Sequence, residues 1–252
     1  MAVERRGPPP AHPPSRIPAR SAAPRPAASR PAPPRPAGPV VRGPKVLPLV
    51  LWPALLTLAV TLLRLVGELR GWSPEYFSRL PGGGLSPLGI AWLAPLVGAY
   101  FGWRLGRAPL PAPHPVVTVG VPLFASLGTA LVAALAGRIL KTSWTSNLAV
   151  WGVVSVLLAA VVFLCWPALG RLLLAYAYAA RLPVAAVMAV AIWRHWGTHY
   201  DVPPPLFPPM PLLRRWLWTG LLPQITIWVA WTLATGAIFA SLGHWAGARR
   251  RR

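Results

Sequence analysis

Six stretches of about twenty mostly apolar residues constrain this chain more than any other feature. They lie at 46–66, 85–103, 116–137, 148–169, 172–193 and 216–243. Roughly twenty such residues in helical form cross the hydrocarbon core of a bilayer. Backbone surrounded by lipid must also bond within its own segment, which leaves the helix as the form for separate apolar segments. Composition agrees: 55% of the 252 residues are apolar, 12% are charged, and the mean hydropathy is +0.51. Soluble domains run near a quarter charged. The expected fold is therefore all-α, a polytopic membrane helix bundle of about six transmembrane helices over residues 46–245. A basic tail follows at 246–252.

Residues 1–45 differ in kind. They form a Pro/Arg/Ala-rich N-terminal tail, as in Pro31 to Pro36, with little apolar material to bury. Proline fixes φ and removes backbone donors, so the tail is expected to be disordered with polyproline II character. The tail contains no continuous apolar run of the kind a cleavable secretory signal needs, so the first span is expected to direct insertion. The net charge of +21 comes from twenty-five Lys and Arg against Glu4, Glu68, Glu75 and Asp201. These basic residues sit in the tail and at span ends, which suits anionic lipid head groups rather than nucleic acid. With six spans, the side holding both termini carries sixteen Lys and Arg against eight on the other. The positive-inside rule then places both termini in the cytoplasm. Seven tryptophans, Trp52, Trp103, Trp144, Trp166, Trp193, Trp216 and Trp245, fall near span ends, where aromatic belts form.

Arg181 is the leading candidate for a site. It sits near the middle of the fifth span, where a cation costs several kcal/mol unless it faces protein, water or a ligand. Tyr178 precedes it by three residues, and Gln224 in the sixth span offers a second polar group beside Pro223. Together these three form a candidate anion- or lipid-headgroup-binding site. Arg64, near the far end of the first span, is expected to snorkel to the head groups. Outside the spans, His195 and His199 have four-residue spacing, and Asp201 could add an oxygen. That set is a weak candidate for a metal site or for acid–base chemistry at the membrane surface, since Gly197 interrupts it and the glutamate of HExxH is missing. The single cysteine, Cys165, excludes an intramolecular disulfide and multi-thiolate metal sites, and no cofactor is expected. Gly98, Gly102 and Gly106 recur every fourth residue, a spacing that lets another helix approach closely in lipid. Between spans four and five stand only Gly170 and Arg171, which predicts a tight antiparallel hairpin there.

Tyr176 to Pro183 (Tyr-Ala-Tyr-Ala-Ala-Arg-Leu-Pro), Trp196 to Asp201 (Trp-Gly-Thr-His-Tyr-Asp) and Leu221 to Gln224 (Leu-Leu-Pro-Gln) resemble a group of uncharacterised bacterial polytopic inner-membrane proteins. The resemblance covers roughly residues 46–243 and implies a topology without implying an activity. Short loops and the lack of a catalytic set make a non-enzymatic membrane scaffold or accessory protein the first expectation. It would be embedded in lipid, as a homo-oligomer or beside another membrane protein. A small transporter or channel using Arg181 is the second. A membrane-embedded enzyme using His195, His199 and Asp201 is the third.

Overall fold

The computed structural model describes residues 45–81, 86–108, 144–203 and 207–250, with isolated positions between 113 and 135. The proline-rich tail and ten of the twenty-two residues of the expected third span lie outside the described residues. The described chain is helical: α1 spans Val46–Leu69, α2 Leu93–Arg107 after a 3-10 turn at Ile90–Trp92, α3 Trp144–Cys165, α4 Pro167–Arg194, and α5 Leu212–Arg249. Val116–Gly120 forms a short π-helical turn. Three of these helices, α1, α4 and α5, are long and apolar enough to cross a membrane. The apolar stretch of α3 that meets the same composition, Gly152–Cys165, is shorter. Exposed Leu51, Leu55, Leu62 and Val66 on α1 would be a liability in water and suit a lipid-facing helix.

Helix limits differ from the sequence expectation in instructive ways. The turn between spans four and five lies at Trp166, not at Gly170 and Arg171. A residue before proline is driven out of the α region, and Trp166 adopts φ −145° and ψ 79°. Pro167 then starts α4 at a position where its missing N–H costs nothing. Gly170 lies inside α4, and a Cβ there would stand 2.8 Å from Phe163 Cα, so the hairpin closes tightly across it. Trp166 is buried rather than belted and packs edge-on to His244. The second expected span is represented by an α2 of only 15 residues, about 22 Å long and short of the ~30 Å core. By contrast α5 runs for 38 residues, with a π-helical segment at Trp216–Leu221 and an irregular Thr226 (φ −119°, ψ −78°).

Contacts set the directions. Thr57 meets Tyr176 and Glu68 meets His199, so α1 and α4 run parallel. The pairs Gly98–Gly236, Gly102–Ala240 and Gly106–His244 make α2 and α5 parallel to each other. Along that seam the glycines have a steric purpose. A Cβ on Gly102 would sit 2.6 Å from Ala240 Cα and C, and one on Gly243 would sit 2.8 Å from Ala99 C. The four-residue glycine spacing thus serves close helix packing within this chain. The core around it combines Phe101 and Leu105 of α2, Leu169, Leu173 and Tyr176 of α4, and Leu233 and Ala237 of α5. A second cluster, Leu65, Val184, Ala191 and Tyr200, closes the other end of the bundle.

Candidate functional site

Two polar groups of residues stand out against this apolar bundle. The first is a clasp at the end of α1. Thr57, Thr61, Arg64 and Glu68 recur at intervals of four, three and four residues, which places them on one helix face, and all four are buried. Arg64 does not snorkel outward. Its Nε donates to Glu68 Oε1 at 2.8 Å, and a terminal nitrogen donates to Ser78 O at 3.2 Å. Glu68 is fully buried and also receives the backbone N–H of His199 on Oε2 at 2.8 Å. The His199 ring meets Glu68 Oε1 through Nδ1 at 2.5 Å. A carboxylate on Nδ1 fixes the proton there in the neutral ring and leaves Nε2 as the acceptor. Burial pulls the His199 pKa below its ordinary value, against the hydrogen bond the ring donates to Glu68, which raises it. Next in sequence, the Tyr200 hydroxyl donates to Thr61 O at 3.0 Å, and burial pushes its pKa upward. Arg79 donates to the Glu68 carbonyl. The segment after α4 is thereby fastened to α1 over 130 residues away in sequence.

Asp201 completes this turn from inside. Its Oδ1 accepts from the Thr198 backbone at 2.7 Å and from the Thr198 hydroxyl at 2.8 Å, and its Oδ2 accepts from Gly197 N at 3.0 Å. The Asp201 carbonyl in turn accepts from Arg215. His195 stands apart, exposed, as the left-handed C-cap of α4 with φ 51°. The chain therefore does not gather His195, His199 and Asp201 at one point: one caps a helix, one binds Glu68, and one folds its own turn. Among the described residues no group of three His, Cys, Asp or Glu side chains is placed to hold a metal ion.

The second group lies in the seam between α4 and α5. Arg181, at the midpoint of the 28-residue α4, is 4% exposed, and its guanidinium carbon stands 4.8 Å from the centre of the Trp228 ring. Cation–π contact of this kind suits a desolvated arginine. No described residue supplies it with a hydrogen-bond acceptor. Gln224 is 7% exposed; its Nε2 approaches Met188 Sδ at 3.7 Å, and its Oε1 has no partner. Tyr178 is 39% exposed. Tyr176 points inward instead, its hydroxyl 2.9 Å from Thr57 Oγ1. Residue spacing alone had singled out neither Tyr176 nor Trp228. Nor had it linked Arg64 and Glu68 to His199, although the four-residue Arg–Glu interval was a visible signal for that ion pair. Comparison of the chain with protein-family models, with curated proteins and with solved structures gives no match.

Proposed function

We propose that this chain is a six-span bacterial inner-membrane protein that acts as a non-enzymatic scaffold or accessory subunit. The observation that carries this reading is how the polar groups outside the spans are used. The Asp201 carboxylate is spent on folding its own turn, and the His199 Nδ1 on holding that turn against α1. A catalytic set needs a nucleophile or base within reach of a partner and of substrate, whereas this cluster is turned inward on the fold. The orientation with both termini in the cytoplasm rests on the sixteen-to-eight excess of Lys and Arg counted along the whole chain.

The test pairs two measurements on the full chain. In-membrane photo-crosslinking from exposed α1 positions such as Leu55 and Leu62 is expected to give a discrete product, a second copy or one partner protein. Purified protein incubated with a bacterial lipid extract is expected to change no lipid species by mass spectrometry. Lipid turnover that disappears in a folded His199→Ala variant would overturn the scaffold reading.

A further inference from the structure

The α4–α5 seam presents a charge without a counter-charge. The chain has four acids, Glu4, Glu68, Glu75 and Asp201. The Glu68 carboxylate is held by Arg64 and His199, and that of Asp201 by its own turn. Glu75 is exposed beyond the end of α1, and Glu4 lies outside the described residues. None of the described acids neutralises Arg181, which stands about 20 Å from either end of α4. An arginine at that depth carries its full desolvation cost unless something anionic or hydrated meets it. Trp228 covers one face of the guanidinium, whose N–H donors lie in its own plane and have no described acceptor.

Gln224 makes the opposite demand nearby. It sits one turn before Trp228 on α5, and Met188, which it touches, lies two turns after Arg181 on the facing side of α4. Both groups thus occupy the same seam, separated along it by roughly 6–10 Å, too far for a direct hydrogen bond. Gln224 Oε1 is a buried acceptor that lacks a donor, and the Arg181 guanidinium in the same seam offers donors with no described acceptor. Buried polar atoms are satisfied in nearly all proteins.

We propose that this seam binds a small oxyanion carrying an ionisable O–H, of the hydrogen-phosphate class, with Arg181 donating to its oxygens and Gln224 Oε1 accepting its O–H. A guanidinium matches such anions through paired N–H groups. A lipid head group would have to leave the interface and travel about 15 Å to the midplane, so a free anion fits the depth better. This inference stands independently of the scaffold reading, because it concerns occupancy of the seam and not what the protein partners.

Thermal unfolding of the purified full chain in detergent tests it, with phosphate, sulfate and chloride titrated at constant ionic strength. Phosphate is expected to raise Tm saturably and sulfate to act at least tenfold more weakly, since sulfate has no O–H for Gln224 at neutral pH. Arg181→Gln removes the phosphate response. Gln224→Leu, which keeps the arginine, weakens the apparent affinity about tenfold or more and carries the test if Arg181→Gln does not fold. Nanodiscs with and without phosphatidate separate the two sources of the anion: stabilisation by phosphatidate alone overturns the assignment to a free anion. No phosphate response, equal responses to phosphate and sulfate, or an undiminished response in Gln224→Leu overturns the site.

Discussion

Removing the carboxylate of Glu68 should do more damage than its place near a helix end suggests. Glu68→Ala strips the acceptor from Arg64 Nε and from both the backbone and the ring of His199, in surroundings where Arg64 is 2% exposed and Glu68 fully buried. Deleting one partner of a buried ion pair leaves the other charge uncompensated and costs about 3–5 kcal/mol. Ser78 O remains for Arg64, which argues for the lower half of that range. At about 2–4 °C per kcal/mol for a chain of this size, the expected fall in Tm is about 6–16 °C in detergent. The double variant Arg64→Met, Glu68→Leu removes both charges and leaves neutral groups unpaired, among them the two His199 donors and Ser78 O, a loss of about 1–3 kcal/mol per buried group. It should therefore unfold above the temperature expected from adding the two single changes, with a coupling of about 1–3 kcal/mol. A Glu68→Ala fall below about 1 kcal/mol, or strict additivity, would refute the clasp.

Three further outcomes follow from the same geometry. Gly102→Leu should destabilise by about 1–3 kcal/mol or more through overpacking against the Ala240 backbone, while Leu96→Ala, on an exposed side chain, stays within about 0.5 kcal/mol; equal Tm values for the two would deny the close seam. His195→Gly should hold or raise stability by up to about 1 kcal/mol, because glycine adopts the left-handed C-cap at no steric cost, and a marked loss would mean the imidazole is used. His199 has a folded pKa held below its unfolded value, so its contribution is complete above about pH 6.5 and is lost as pH falls from there toward the folded pKa. Tm measured from pH 7.5 down to 5 should drop, and the drop should shrink in His199→Gln; an unchanged slope in that variant counts against it.

Several of these features are legible in the sequence. Long uncharged apolar runs announce helices suited to lipid, and Gly98, Gly102 and Gly106 announce a close approach because small residues at one-turn spacing have few other uses there. The burial of Arg181 follows from its position within an apolar run. What the sequence obscures has definite causes. Because α4 is apolar on every side, nothing in its pattern says whether Tyr176 or Tyr178 turns inward. The α3–α4 break lies four residues before Gly170 because Pro167 excludes Trp166 from helical backbone, a stronger effect than a glycine within an apolar run. The clasp was hidden because the first span was ended at Val66, which put Glu68 in the head-group region, whereas α1 continues to Leu69 and carries Glu68 inside. His199 then drew its apparent partners from its own loop rather than from a helix far away in sequence.

The proposed reading sets the helical bundle across a membrane, with Arg181 at mid-depth and the Glu68 clasp on the outer side. Single cysteines introduced into a Cys165→Ser background and probed with a membrane-impermeant maleimide test it most directly. In intact spheroplasts Ser73→Cys and Arg194→Cys should label, Arg171→Cys and Arg249→Cys should label only after permeabilisation, and Arg181→Cys should resist in both. Labelling of positions 73 and 171 from the same side, or ready labelling at position 181, would contradict the account.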